Sequence, residues 1–413
     1  MKPSTPRGSV QMPQWSADPT RVGARKRVLI RSIWILLLLL VAACDSQKDP
    51  ESDYERPPAT GDGWETAYLH DVGVDAAPLL DLLDVISSTD DHLIHGLLII
   101  KDQKLVFEEY WPGMDLDPET LQQIARSFDR NTLHYVASVS KSITSALCGL
   151  ALDQGLLKTV DDTLFSFFPQ YEHLLNDDNR NITLRHLLSF SSGYEWNEFE
   201  YDFGDPRDSH YQMFNTIDPM GYLLGRAMIS IPGSEFLYNS GDTNLLGEII
   251  RKKSSASTLI DFAKENLFDP LGIEDFSWRR FSMVPELTFA SGGASLRPRD
   301  MAKIGLLYLN SGVWDGRRIL SDDWVDASTT MSTPLTGDYQ PLYGYGYNWW
   351  LGRFAYGATN VAYYRAAGWG GQDVFVFPEL EMVVVFTAGG YYESRPLRAN
   401  DIIEDYILPA LGR

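Results

Sequence analysis

The stretch Tyr135-Val136-Ala137-Ser138-Val139-Ser140-Lys141-Ser142-Ile143-Thr144 leads into the apolar positions Ile143, Ala146, Leu147, Leu150 and Ala151 and closes at Gly155. Apolar residues three, four and seven apart predict a helix, and glycine suits the position just past its end. Ser138 then falls in the first turn, with Lys141 on the same face. Ser-x-x-Lys in that place supplies a nucleophile and its base without a histidine. Near the helix N-terminus the serine hydroxyl feels the positive end of the dipole. Its own N–H has no intrahelical acceptor and can face a developing oxyanion. So short a motif also arises by chance, and its weight depends on partners elsewhere in the chain.

The flanking chain fixes the context. Of 35 Lys and Arg and 56 Asp and Glu, the first 43 residues hold seven and one. That basic segment runs through Ile33 to Leu40 into Val41-Ala42-Ala43-Cys44. Its apolar core is about a dozen residues, short of the roughly 20 that span a bilayer, and reads as an export signal. Val41-Ala42-Ala43-Cys44 resembles a bacterial lipobox, which implies cleavage before Cys44 and a lipid on it; an uncleaved signal anchor is the alternative, and Met12 is a second candidate start. Asp45 resembles the inner-membrane retention signal of some Gram-negative lipoproteins, so the expected location is the periplasmic face of the inner membrane.

Residues 44 to 413 carry 28 basic side chains against 55 acidic ones, a formal charge of −27, which disfavours nucleic acid and anionic surfaces as partners. Residues 44–62 are polar and proline-bearing and predict a flexible tether. Residues 63–413 form the expected catalytic domain. With Cys44 lipidated, Cys148 has no disulfide partner, and its place between Leu147 and Leu150 predicts a small core residue.

A helix is expected at Asp75 to Ser88, then a hairpin over Gly96–Ile100 and Leu105–Glu108. Helical patterns dominate from Ser138 to Leu309, and strands return at Tyr345–Leu351, Val361–Arg365, Asp373–Phe377 and Met382–Thr387, before a last amphipathic stretch from Asn400 to Leu411. Strands at both ends with helices between them predict an α+β fold: one antiparallel sheet closed by both termini, flanked by N- and C-terminal helices and carrying a helical lobe.

One hundred residues after the serine, Pro232-Gly233-Ser234-Glu235-Phe236-Leu237-Tyr238-Asn239-Ser240 places a tyrosine in a turn before a helical run. Together with Ser138-x-x-Lys141, Asn181 to Leu188 followed by Ser192-Gly193, and Gly292-Gly293 ahead of Arg299-Asp300-Met301-Ala302, it resembles the class C β-lactamase-related serine hydrolases. That family includes β-lactamases, serine DD-peptidases, esterases and 6-aminohexanoate-dimer hydrolases, and the resemblance covers Gly96 to Leu411. It implies a β-lactamase/DD-peptidase-like fold with Ser138 as acyl-accepting nucleophile, Lys141 as base and Tyr238 as proton relay. Burial of Lys141 would favour its neutral amine, and after that amine has taken the serine proton the nearby ammonium would favour the Tyr238 phenolate.

The third motif of that family, a His or Lys, one residue and a glycine on the inner edge strand, has its best match at Ala366-Ala367-Gly368-Trp369-Gly370-Gly371 and lacks the cation. In one register the Trp369 N–H joins that of Ser138 as oxyanion donor; in a shifted one Trp369-Gly370-Gly371 is the motif. Ser240 stands where β-lactamases of the family carry Asn. Both departures resemble the esterase and 6-aminohexanoate-dimer hydrolase branches. The expected activity is therefore hydrolysis of small esters or amides through an acyl-enzyme, the alternatives being a β-lactamase or DD-peptidase, or a catalytically silent penicillin-binding-like sensor. Tyr194, Trp196, Ser240, Gly368 and Gly370 are expected beside the substrate. The aromatic residues between Tyr339 and Trp369 are expected mainly as packing. No cofactor or metal site is expected: the seven histidines form no His-x-x-x-His pair, and His92 with His95 reads as a surface pair.

Overall fold

The central strands of the chain are short, nearly continuous apolar runs, and that composition sets the architecture. In the computed structural model, which describes residues 54–412 apart from 118, 119, 121, 202, 203, 336–341, 358 and 393–395, eight strands form one antiparallel sheet. They are β1 (Ile94–Lys101), β2 (Lys104–Tyr110), β3 (Thr333–Pro334), β4 (Leu342–Tyr345), β5 (Trp350–Tyr356), β6 (Thr359–Gly368), β7 (Gln372–Phe377) and β8 (Met382–Ala388), in the order β3-β4-β5-β6-β7-β8-β1-β2. β1 pairs with β8, Leu98 opposite Val385, so the N-terminal hairpin and the C-terminal strands close one sheet as expected. Val374, Val376, Val383 and Val385 face the larger core with Leu98 and Ile100; Phe375, Phe377, Val384 and Phe386 face the second with Leu97 and Ile99. Both faces are covered, so these strands read as continuous apolar runs.

Helices bury each face. On the second core lie α1 (Ala76–Ser88), capped by Asp75 accepting from the Ala77 N–H, and the C-terminal turns from Ala399 to Leu411. On the first lie α2 (Val139–Asp153) and α4 (Pro298–Leu309), with α3 (Ser240–Lys253) beyond them in the helical lobe. α4 approaches the sheet closely at Gly305, where a Cβ would meet the Val383 and Val374 methyls at 2.6 and 2.8 Å. The alternation of small and large residues on β7 and β8 is what admits that helix.

α2 is the helix expected after Ser138. It is buried from Val139 to Ala151, on all sides, because it lies between the sheet and the lobe. Three of its hydroxyls are consumed internally: Ser140 donates to the Ala137 carbonyl, Ser142 to that of Asn348 and Thr144 to that of Ala290. Cys148 is buried and unbridged, its thiol pushed up to about 12 by burial, as a core residue requires.

Residues 54–62, read from sequence as part of a flexible tether, are packed against the body. Tyr54 stacks on Phe107 at 4.7 Å and accepts from the Glu108 N–H, and Arg299 donates to the Pro58 carbonyl, Thr60 Oγ1 and Asp62 Oδ2. The cause is a partner more than 230 residues away, which the composition of the segment does not reveal. The export signal, Cys44 and residues 44–53 of the tether lie outside the described residues, as does Tyr339. Among the described residues no helix is long and apolar enough to cross a membrane.

Candidate active site

The position expected for the nucleophile is made by a strained turn. His134-Tyr135 pairs with Leu296 and Ser295, the Val136 N–H is held by the Ala294 carbonyl at 3.0 Å, and Ala137 then takes φ +45°, the left-handed region. That conformation costs an alanine about 1–2 kcal/mol. It turns the chain so that Ser138 becomes the N-cap of α2, partly exposed, while its neighbours are buried.

Lys141 reaches back along the helix face. Its Nζ lies 2.9 Å from Ser138 Oγ and 2.7 Å from the Ser291 carbonyl, and the residue is 3% exposed. Burial pulls its pKa down to about 8, against an opposing pull from the Glu198 carboxylate. A neutral amine is therefore accessible near neutrality. Ser291 is itself positioned by Asn244 of α3, whose amide donates to Ser291 Oγ at 2.9 Å and to the Ser240 carbonyl.

Tyr238 lies over this pair, with Lys141 Nζ 4.8 Å from its ring centre. The ring stacks on Trp350 at 5.8 Å and meets the edge of Phe190 at 5.0 Å. Burial, then the Glu198 charge, raise its pKa above the usual phenol range, and a hydrogen bond with the Ser138 side chain only partly offsets them. The resting state thus holds a phenol. The phenolate expected from the sequence belongs to the state after proton transfer, when Lys141 is an ammonium 4.8 Å from the ring centre.

Glu198, which the sequence reading passed over, organises the wall opposite. It accepts from the Ser240 N–H at 3.0 Å and from Ser240 Oγ at 2.9 Å, and the Trp196 indole N–H donates to it. No spacing rule marks it; its signal was an acidic residue inside an aromatic loop, Trp196-Asn197-Glu198-Phe199. Phe199 lies beside it, 76% exposed, with its ring 5.3 Å from that of Tyr238.

The remaining expected residues divide. Gly368 ends β6 against the nucleophile: a Cβ there would lie 2.3 Å from the Val136 carbonyl oxygen and 3.2 Å from the Ser138 nitrogen. The close approach to Ser138 therefore falls at Gly368 and not at Gly370. Trp369 follows it, with its ring edge-on to Tyr391 and Tyr392. Gly370 does not face the site: it is buried, at φ +85°, and the space of its missing Cβ is filled by the Tyr391 ring. Tyr194 is also withdrawn, 2% exposed, its hydroxyl donating to the Leu224 carbonyl inside the lobe. Trp196 is 5% exposed and touches the site through Glu198. Both are placed by the apolar bulk of their rings. Ser240 is 2% exposed with its hydroxyl committed to Glu198, so it orients that carboxylate. Of the aromatic run, Tyr345, Tyr347, Trp349, Phe354 and Tyr363 are packed, and Trp350 backs Tyr238.

The chain is similar to several known proteins. The chain is 22% identical over 323 residues to the 6-aminohexanoate-dimer hydrolase of Paenarthrobacter ureafaciens, covering 74% of each. It is 26% identical over 192 residues to the lovastatin esterase of Penicillium rubens, covering 43% of this chain and 47% of the esterase. The solved structure of EstCE1, a hydrolase with promiscuous acyltransferase activity, superposes with a TM-score of 0.61 at 17% identity, over 81% of this chain and 98% of that one. The Beta-lactamase family model matches residues 89–406, spanning the sheet, Ser138, Lys141 and Tyr238, and the chain belongs to that family.

Proposed function

We propose that the protein is a serine hydrolase that cleaves small esters or amides through an acyl-enzyme on Ser138. The observation that carries this is the 2.9 Å contact between Ser138 Oγ and a buried Lys141 whose amine is held down to about 8. In the first half reaction Ser138 Oγ attacks the carbonyl carbon and gives its proton to Lys141. The Tyr238 phenol protonates the leaving oxygen or nitrogen and recovers its proton from the Lys141 ammonium. Water then repeats the cycle in reverse on the acyl group. The N–H groups of Ser138 and Trp369, brought together by the glycine at 368, serve as oxyanion donors, each contributing about 3 kcal/mol to the transition state.

The charge around the site favours a neutral or cationic substrate. Glu198 acts electrostatically on both Lys141 and Tyr238, and Ala366 stands where a cation would meet a β-lactam carboxylate. The β-lactamase and DD-peptidase readings are therefore second, and the silent sensor third, since a sensor needs no amine tuned to about 8. Export, with Cys44 lipidated and the domain tethered at the periplasmic face of the inner membrane, is part of the same proposal and rests on the sequence of residues 1–45. Metabolic labelling with a radioactive fatty acid, lost in Cys44→Ser, tests it.

The catalytic proposal is tested by intact mass of residues 45–413 after treatment with a fluorophosphonate. One adduct, absent in Ser138→Ala, establishes the nucleophile and opens screening of p-nitrophenyl esters, amides and nitrocefin. No adduct on folded protein rejects it in favour of the sensor.

A further inference from the structure

Behind the nucleophile's strand, away from the Ser138 cleft, three buried side chains converge. His95 comes from β1, Asp115 from the short strand Gly113–Leu116, and His134 from the pair His134–Tyr135 that feeds Ser138. Their exposures are 0, 0 and 1%. His95 Nδ1 and His134 Nε2 are 2.8 Å apart, and His134 Nε2 lies 3.7 Å from Asp115 Oδ1. His95 is therefore not half of a surface pair with His92, as its spacing suggested, because its ring turns inward beneath Phe128, stacked at 4.0 Å.

The hydrogen bonds around the three fix where the lone pairs point. His134 Nδ1 faces the Tyr135 carbonyl, which can only accept, so Nδ1 carries the proton and Nε2 is bare. Asp115 Oδ2 is engaged by Arg126 at 2.9 Å, and Oδ1 by the Leu116 N–H. A bare imidazole nitrogen and a carboxylate oxygen thus face each other with no proton between them. If His95 Nδ1–H donates to His134, its Nε2 lone pair is buried without a partner. Gly113 and Gly389 press on that edge of the ring, which leaves it little room for solvent: a Cβ on either would fall 2.5 to 2.8 Å from Nε2.

A cation resolves both defects. With Nδ1 of His95 as a ligand, the proton moves to Nε2, beside the Met114 carbonyl. His95, His134 and Asp115 then each offer one ligand atom, all within 4.8 Å of one another. Both rings are buried, with His95 Nδ1 and His134 Nε2 turned toward each other at 2.8 Å. Two tetrahedral nitrogen ligands on zinc stand about 3.3 Å apart, so the group needs to move by only about half an ångström. Second contacts that hold the rings and the carboxylate, the Tyr135 carbonyl and the Leu116 N–H, are already made.

We propose that His95, Asp115 and His134 bind one divalent ion of the zinc, cobalt or iron type, which ties β1 and the Gly113–Leu116 strand to the segment that positions Ser138. Two imidazoles and a carboxylate suit such ions and discriminate against calcium and magnesium. Arg126 opposes the charge of a dication, but its side chain is 35% exposed and can turn to solvent while Asp115 changes partner.

The test is Co²⁺ titration of metal-free full-length protein, read by visible absorption and equilibrium dialysis. One equivalent bound, with d–d bands of a four- or five-coordinate ion and displaced by Zn²⁺, is expected. His134→Gln should weaken binding at least tenfold, and Arg126→Gln should retain it. No binding to folded protein, or binding unchanged in His134→Gln, overturns the proposal. Should His134→Gln not fold, histidine ¹H–¹⁵N correlation spectra of the parent decide: Zn²⁺ must convert His95 from the Nδ1–H to the Nε2–H tautomer and shift His134 Nε2. Unchanged tautomers reject the site.

Discussion

Glu198 holds Ser240 by two hydrogen bonds, Oε2 to its N–H at 3.0 Å and Oε1 to its hydroxyl at 2.9 Å, and thereby fixes a carboxylate beside Lys141 and Tyr238. In this position a negative charge works against the base. It stabilises the ammonium that burial destabilises, and so trades basic strength for a site that attracts cations and repels anions.

Removing that charge has a defined sign. Glu198 raises the Lys141 pKa, so Glu198→Gln should lower it below about 8. Since the neutral amine is the active form, the acid limb of kcat/KM for a neutral ester should move to lower pH. A pH–rate profile measures it, and a limb that stays or moves upward contradicts the placement of Glu198.

In the parent enzyme kcat/KM should rise about tenfold per pH unit below the Lys141 pKa and level off above about 8. Tyr238 is held above the usual phenol range and should contribute no alkaline fall within the working range. A bell centred near pH 6 would point to a different base.

Lys141→Met should lower kcat by about 10²–10⁴-fold while preserving the fold, the span associated with loss of general base catalysis. Circular dichroism and steady-state ester hydrolysis, run together, separate lost chemistry from lost structure.

At Gly368 a methyl group would meet the Val136 carbonyl at 2.3 Å. Gly368→Ala should force β6 away from Ser138 and cost about 10²–10³-fold in kcat, the loss expected when one oxyanion donor is displaced. Gly357→Ala is the control for a glycine substitution on this sheet: its φ is +59° but nothing lies within 4 Å, so activity should survive.

Arg299 Nη2 pairs with buried Glu108 at 2.6 Å, and the same guanidinium binds Thr60 and Asp62. Arg299→Met leaves Glu108 buried without its main partner and should cost about 3–5 kcal/mol. Urea unfolding would show it as a lower midpoint. Limited proteolysis should then cut within residues 54–62.

Much of this was legible locally. The helix of Ser138 to Gly155, the hairpin ending at Glu108 and the strands from Val361 to Thr387 were readable because periodicity and turn residues act within a few positions. Lys141 was legible beside Ser138 because one helical turn joins them, and Tyr238 because its neighbours resemble a family motif. Tyr194 and Gly370 misled because an aromatic ring and a glycine carry the same letters whether they line a cleft or fill a core.

The sequence by itself determined the α+β order of elements and the acidity of the chain, and it offered Ser138 and Lys141 by their spacing and Tyr238 by resemblance as the candidate nucleophile, base and phenol, since composition and short-range spacing act within a few positions. Only the tertiary structure decided that Glu198 faces Lys141, that Gly368 carries the close approach, that His95 meets His134 and Asp115, and that Arg299 binds residues 58–62. These contacts join positions 19 to more than 200 residues apart. Packing chooses such pairs by shape, charge and burial once the sheet has closed, and no periodicity along the chain records the choice.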